Sequence, residues 1–147
     1  MTLLVIHLVA TATMTGLIWF VQIVHYPLFA VVGAQESVAY AVEHQRRTSL
    51  VVAVPMALEG VTALLVFFTA PQGMNRWWGA AGLVLLAVVL GSTVLLQVPR
   101  HARLAEQYDA SVVTSLVRSN WIRTVGWTMR TVLAAGLAMW ASTSARG

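Results

Sequence analysis

Residues 16–29 read GLIWFVQIVHYPLF, and this stretch decides what kind of chain it belongs to. It is the back half of a long apolar segment, and it ends in Gln22 and His25 followed by Pro27, a residue that stops or kinks helices. A histidine where a hydrophobic helix meets a membrane surface, with a glutamine one turn behind it, points to a site. The rest of the sequence is read for what joins it.

Working outward, the 147 residues are 59% hydrophobic and 10% charged, with a mean hydropathy of +0.77. Soluble domains carry roughly 25% charged residues, so the composition is that of a membrane protein. Four apolar stretches, about 3–26, 49–70, 77–98 and 121–141, each approach the ~20 residues a helix needs to cross a hydrocarbon core of ~30 Å. The expected fold is all-α: an integral membrane four-helix bundle forming one domain over residues 1–147, with no soluble module. No basic segment precedes the first apolar stretch, which is longer than a signal-peptide core, so it reads as a retained span. Without cysteine, disulfides and thiolate metal sites are excluded.

The formal charge of +4 comes from arginine alone, since the chain has no lysine. The arginines flank apolar spans, which suits topology and lipid headgroups and argues against nucleic acid as a partner. Arg46, Arg47, Arg100, Arg103, Arg118 and Arg123 lie on the side of the first and third connections, whereas Arg76 and Arg146 lie on the other. The positive-inside rule then places both termini outside and the polar connections in the cytoplasm of a bacterial-type inner or plasma membrane. Trp77, Trp78 and Trp140 mark the outer surface, and Tyr26, Tyr108 and Trp121 the inner one.

Antiparallel spans bring the end of span 1, the start of span 2, the end of span 3 and the start of span 4 to that cytoplasmic face. Gln22, His25, His44, Arg47, Gln97, His101, Asn120 and Arg123 therefore share one pole. An offset of 76 residues maps His25 onto His101, His44 onto Asn120, Arg47 onto Arg123 and Thr48 onto Thr124, which marks the two hairpins as candidate pseudo-repeats. His7 is 18 positions from His25, on the same helix face but about 27 Å away, so it belongs to the other surface as an interfacial or interhelical hydrogen-bonder.

Three neutral imidazoles, His25, His44 and His101, are a donor set for zinc, copper or iron, and two of them for haem. Gln22, Gln97 and Glu43 are candidate acceptors to orient them, and Arg47 and Arg123 suit an anionic substrate or cofactor group. Without a metal, a histidine beside an arginine can abstract a proton and hold the resulting anion. No HExxH or clustered HxxH pattern signals a metal by spacing. The structural alternative is that these groups cap helix ends and snorkel to headgroups. Deeper in the apolar core, Glu59 and Arg130 come at similar depth and are expected to form an intramembrane ion pair, either as a packing strut or as the floor of a cavity.

At Asn120-Trp121-Ile122-Arg123-Thr124 the sequence resembles the small four-span membrane proteins of the anthrone-oxygenase-like group, which carry a comparable Asn-x-x-Arg entry to the last helix. The resemblance implies an oxygenase acting on polycyclic phenolics, with Asn120 and Arg123 as the carried-over positions. Three functions stay open: a membrane oxidoreductase or oxygenase for a lipophilic small molecule, a haem- or metal-binding protein without turnover, and a small transporter coupled through Glu59 and Arg130. A homo-oligomer is expected in each case, because so short a chain encloses little space.

Overall fold

The computed structural model describes residues 1–69 and 73–144, and among them every regular element is helical. Helix α1 spans Thr2–Leu28, α2 Ser37–Phe68 and α3 Arg76–Glu106; α4 spans Ala110–Ser144. The first three are long and apolar enough to cross a membrane. Helix α4 is longer still, but Arg118, Arg123 and Arg130 with interspersed Thr, Ser and Trp dilute its apolar content. Each helix packs along the next in sequence and α4 returns to α1, while the diagonal pairs meet only through long side chains, Tyr26 with His101 and Glu59 with Arg130.

All four helices are longer than their apolar cores. The excess lies mostly at the histidine end, so the polar segments read as connections are largely helix. RLAEQYDASVVTSLVRS, whose charge suits a connection in water or on the membrane surface, is interrupted only near Gln107–Asp109. Leu104, Val112, Val113 and Leu116 fold it inward by burying together with Tyr26 and Phe29. Asp109 restarts the helix by accepting the backbone N–H of Ser111 at 2.8 Å and of Val112 at 3.3 Å. Hydrogen bonds from the Ser111 hydroxyl and from these amides hold its carboxyl below the usual aspartate range. A depressed carboxyl stabilises above its unfolded pKa, so the cap acts fully at neutral pH and fades as pH falls below about 4. Amide exchange at Ser111 and Val112 should accelerate in Asp109→Ala, and in the native chain at acidic pH.

Pro27 does not end α1. The helix widens into a π-turn over Val21–His25, where the Tyr26 N–H reaches back five residues to the Val21 carbonyl. Helix α3 repeats this over Thr93–Gln97, with the Val98 N–H on Thr93, just ahead of Pro99. The extra residue gives the proline ring room against the preceding turn, and such turns gather at functional sites. The recurrence also fixes a register of 72 residues between α1 and α3, from Val21 to Thr93. In that register His25 corresponds to Gln97, and the equivalence of His25 with His101 read at 76 residues does not hold for these helices. Helix α2 runs through Pro55 without a break, and the Ala70–Pro71–Gln72 part of the expected turn, together with Arg146, lies outside the described residues.

The interior is layered. At one end Leu4, Val66, Met74 and Leu137 pack together; Met14, Ile18, Val89 and Trp127 fill the middle; Tyr26, Phe29 and Leu116 close the other end. Between these layers lie buried His7, Thr11, Glu59, Thr62, Gln22, Asn120 and Arg130. The outside is the reverse, with Val5, Leu50, Leu95 and Val132 exposed. Polar groups inside and apolar ones outside is the distribution a nonpolar surrounding demands. Helices α3 and α4 approach closely at Gly126, where an added Cβ would lie 2.5 Å from Val89 Cγ2. Valine is stiff at χ1 and this one is fully buried. Gly126→Ala should therefore cost about 1–3 kcal/mol of stability in a denaturation experiment, and Val89→Ala should recover part of it.

Candidate functional site

Gln22 and Tyr26, four residues apart on one face of α1, both point inward, and His25 reaches α2. Helix α2 supplies His44 and α3 supplies His101. The three imidazoles lie in a row: His25 against His44 with ring centroids 4.4 Å apart, and His44 against His101 at 5.0 Å, with planes 28° and 31° apart. His25 Nε2 hydrogen-bonds His44 Nδ1. The Thr48 hydroxyl lies 3.1 Å from His44 Nδ1, and the Tyr40 hydroxyl 3.4 Å from His25 Nδ1. Tyr26, only 3% exposed, shares a 2.9 Å hydrogen bond with His101 Nε2. Phe29 lies edge-on to both His25 and His44. His44 and His101 are buried, whereas His25 is partly exposed beside the outward-facing Phe20.

Helix α4 brings the second half. Asn120 donates to Gln22 Oε1 at 2.9 Å, Gln22 donates to the Val117 carbonyl at 3.2 Å, and Arg123 Nη1 donates to Asn120 Oδ1 at 3.2 Å. Thr124 donates to Gln22 Oε1 at 3.4 Å. Arg123 is buried, and its charge acts on Tyr26, His44 and His101. Three buried polar atoms at this pole have no partner among the described residues: Gln97 Oε1, His101 Nδ1 and Arg123 Nε. An acceptor–donor nitrogen and a cation, both with unused valence, are what a small acidic ligand would engage.

Of the residues expected at this pole, His25, His44, His101, Asn120, Arg123 and Gln22 come together. Gln97 is buried one turn from His101, but its amide donates to Ser119 Oγ at 2.9 Å and to no histidine. Gln22 likewise orients Asn120 and not an imidazole. Arg47 is a correction: its guanidinium binds Glu43 at 2.7 Å and points out of the bundle, together with Arg46. That pairing also removes Glu43 as a support for the histidines. Tyr26, Tyr40 and Thr48 are the contacts that sequence reasoning missed.

The metal and haem expectations lack support in this arrangement. Among the described residues no three His, Cys, Asp or Glu side chains are placed to hold a metal ion.

Arg130 pairs with Glu59 inside the bundle, and the same guanidinium donates to the Gly82 carbonyl. Both side chains are essentially inaccessible, at 1% and 0% exposure. His7 Nδ1 meets Thr62 Oγ1 at 2.9 Å a turn away, the interhelical one of the two roles open to it. Trp127, Met14, Ile18 and Val89 separate this pair from the histidines, so it is not the floor of their site. A groove of about 740 Å³ between α3 and α4, beside Trp78 and Trp140, lies at that far end and is lined by no charged side chain. Comparisons with protein-family models, curated proteins and solved structures found no match.

Proposed function

We propose that the chain is a four-helix membrane bundle with its histidine pole in the cytoplasmic leaflet, acting as a metal-free oxidoreductase on a lipophilic, weakly acidic substrate such as an anthrone. The observation that carries this reading is the meeting of a histidine row with a buried arginine, each with an unpartnered nitrogen. In the proposed reaction His101 removes a proton from the activated CH₂, and Arg123, held by Asn120 and Gln22, stabilises the oxyanion of the enolate. Dioxygen is the oxidant: the carbanion reduces it and bonds to it, protonation gives a hydroperoxide, and loss of water leaves the ketone. One CH₂ and one O₂ become one C=O and one H₂O. The resemblance of Asn120-x-x-Arg123 to the entry motif of the anthrone-oxygenase-like group supports the same assignment, and His25, partly exposed beside Phe20, is the outward side of the site. Assembly as a homo-oligomer belongs to this reading.

The test is oxygen uptake by protein purified into nanodiscs and supplied with an anthrone, together with metal analysis and an absorption spectrum. The reading expects ketone and consumed oxygen in equal amounts, without stoichiometric metal or a Soret band. Stoichiometric metal, or a haem spectrum lost in His25→Ala, would replace it with the cofactor-binding alternative.

A further inference from the structure

We infer that the bundle carries a binding site for one anionic phospholipid, at a place separate from the histidines and built by α3 and α4. Beside the Gln107–Asp109 break that joins these helices, two adjoining hollows share Ser111 and Ser115, with volumes of about 340 and 630 Å³. The hollows are lined by Arg100 and Arg103 on one side and Arg118 on the other. Among the described residues none of these three arginines has a carboxylate within salt-bridge distance, in contrast to Arg46, Arg47 and Arg130.

Arg100 is positioned and not loose: its Nε donates to Ser115 Oγ at 2.8 Å and its Nη1 to the Leu96 carbonyl at 2.6 Å. Neither contact neutralises its charge. The adjacent carboxylate, Asp109, is occupied by the Ser111 hydroxyl and two backbone amides. Beneath the arginines the hollow is floored by Leu95 and Leu96, and Leu95 is 73% exposed towards the apolar surroundings of α3.

Cations and hydroxyls above an apolar floor match a lipid phosphate with its acyl chain, whereas a free phosphate would gain nothing from the leucines. A basic pocket between helices on the cytoplasmic side is where headgroups of anionic lipids are held. The inference rests on placing these helices across a bilayer. It is independent of the oxidoreductase chemistry.

The experiment is native mass spectrometry of delipidated protein, after its recovery from washed membranes has been established, titrated with phosphatidylglycerol or with phosphatidylcholine of the same chains. One phosphatidylglycerol should bind in clear preference to phosphatidylcholine, and 0.5 M salt should weaken it. Arg103→Gln/Arg118→Gln spares the Arg100 contacts and should weaken binding about 30-fold. Arg46→Gln/Arg47→Gln, away from the hollow, should leave it unchanged. Equal affinity for the two lipids, displacement by inorganic phosphate, or an unaffected Arg103/Arg118 variant would overturn the lipid site while leaving the membrane reading intact. A protein that does not fractionate with membranes would overturn both.

Discussion

Arg130→Ala should cost about 3–5 kcal/mol of folding stability, because it leaves the Glu59 carboxylate buried with no counter-charge. Glu59 is fully enclosed, and its second oxygen has no partner even in the native chain. Thr11, whose hydroxyl lies 3.5 Å from the first oxygen, is too weak a donor to substitute for a guanidinium. Glu59→Leu alone should be similarly damaging, since it strands Arg130 among Trp127, Leu133 and the Gly82 carbonyl. The double change Glu59→Leu/Arg130→Met removes both charges and should recover most of the loss. Reversible unfolding in mixed micelles, followed by tryptophan fluorescence, measures all three. Additive losses in the double variant would mean that the two residues act separately and not as a pair.

The second large effect belongs to the site. His101→Ala should lower kcat by about 10²–10⁴, the usual contribution of a positioned general base. Arg123→Gln should lower it by about 10²–10³, as removal of an oxyanion donor does. Tyr26→Phe deletes only the hydroxyl that orients His101, so its effect should be smaller and should fall on kcat more than on KM. A purely structural role would give a different pattern, with losses of activity that track losses of stability.

Much of this architecture was legible in the sequence because two strong signals carried it. Long apolar stretches fix the helices, and antiparallel alternation fixes which helix ends meet, which was enough to bring His25, His44, His101, Asn120 and Arg123 to one pole. Depth counting sufficed for Glu59 and Arg130, since a buried charge demands a partner.

The rest depended on angles about the helix axes, which apolar stretches do not encode. A π-turn adds a residue without changing composition, so the match of His25 to Gln97 could not be read from a regular 100° step. Tyr26, next to a histidine at a membrane surface, read as an interfacial aromatic, and only its burial against His101 reveals its part. Arg47 was the avoidable error: Glu43 stands four residues before it, the spacing at which a helix pairs opposite charges on its own surface. The helical ends flanking Gln107–Asp109 were missed for a different reason. Leu104, Val112 and Leu116 are too dispersed to read as a span, yet packed together they bury completely or nearly so.

Chemical rescue tests the central claim most directly. His101→Ala, verified as folded and embedded in nanodiscs, is assayed for oxygen uptake with an anthrone while free imidazole is added. If His101 removes the substrate proton, imidazole entering the vacated space should restore turnover with saturation, and Arg123→Gln should gain nothing from it. Full activity in His101→Ala without imidazole, or loss of activity that imidazole leaves untouched while the native protein turns over, would contradict the histidine as the base.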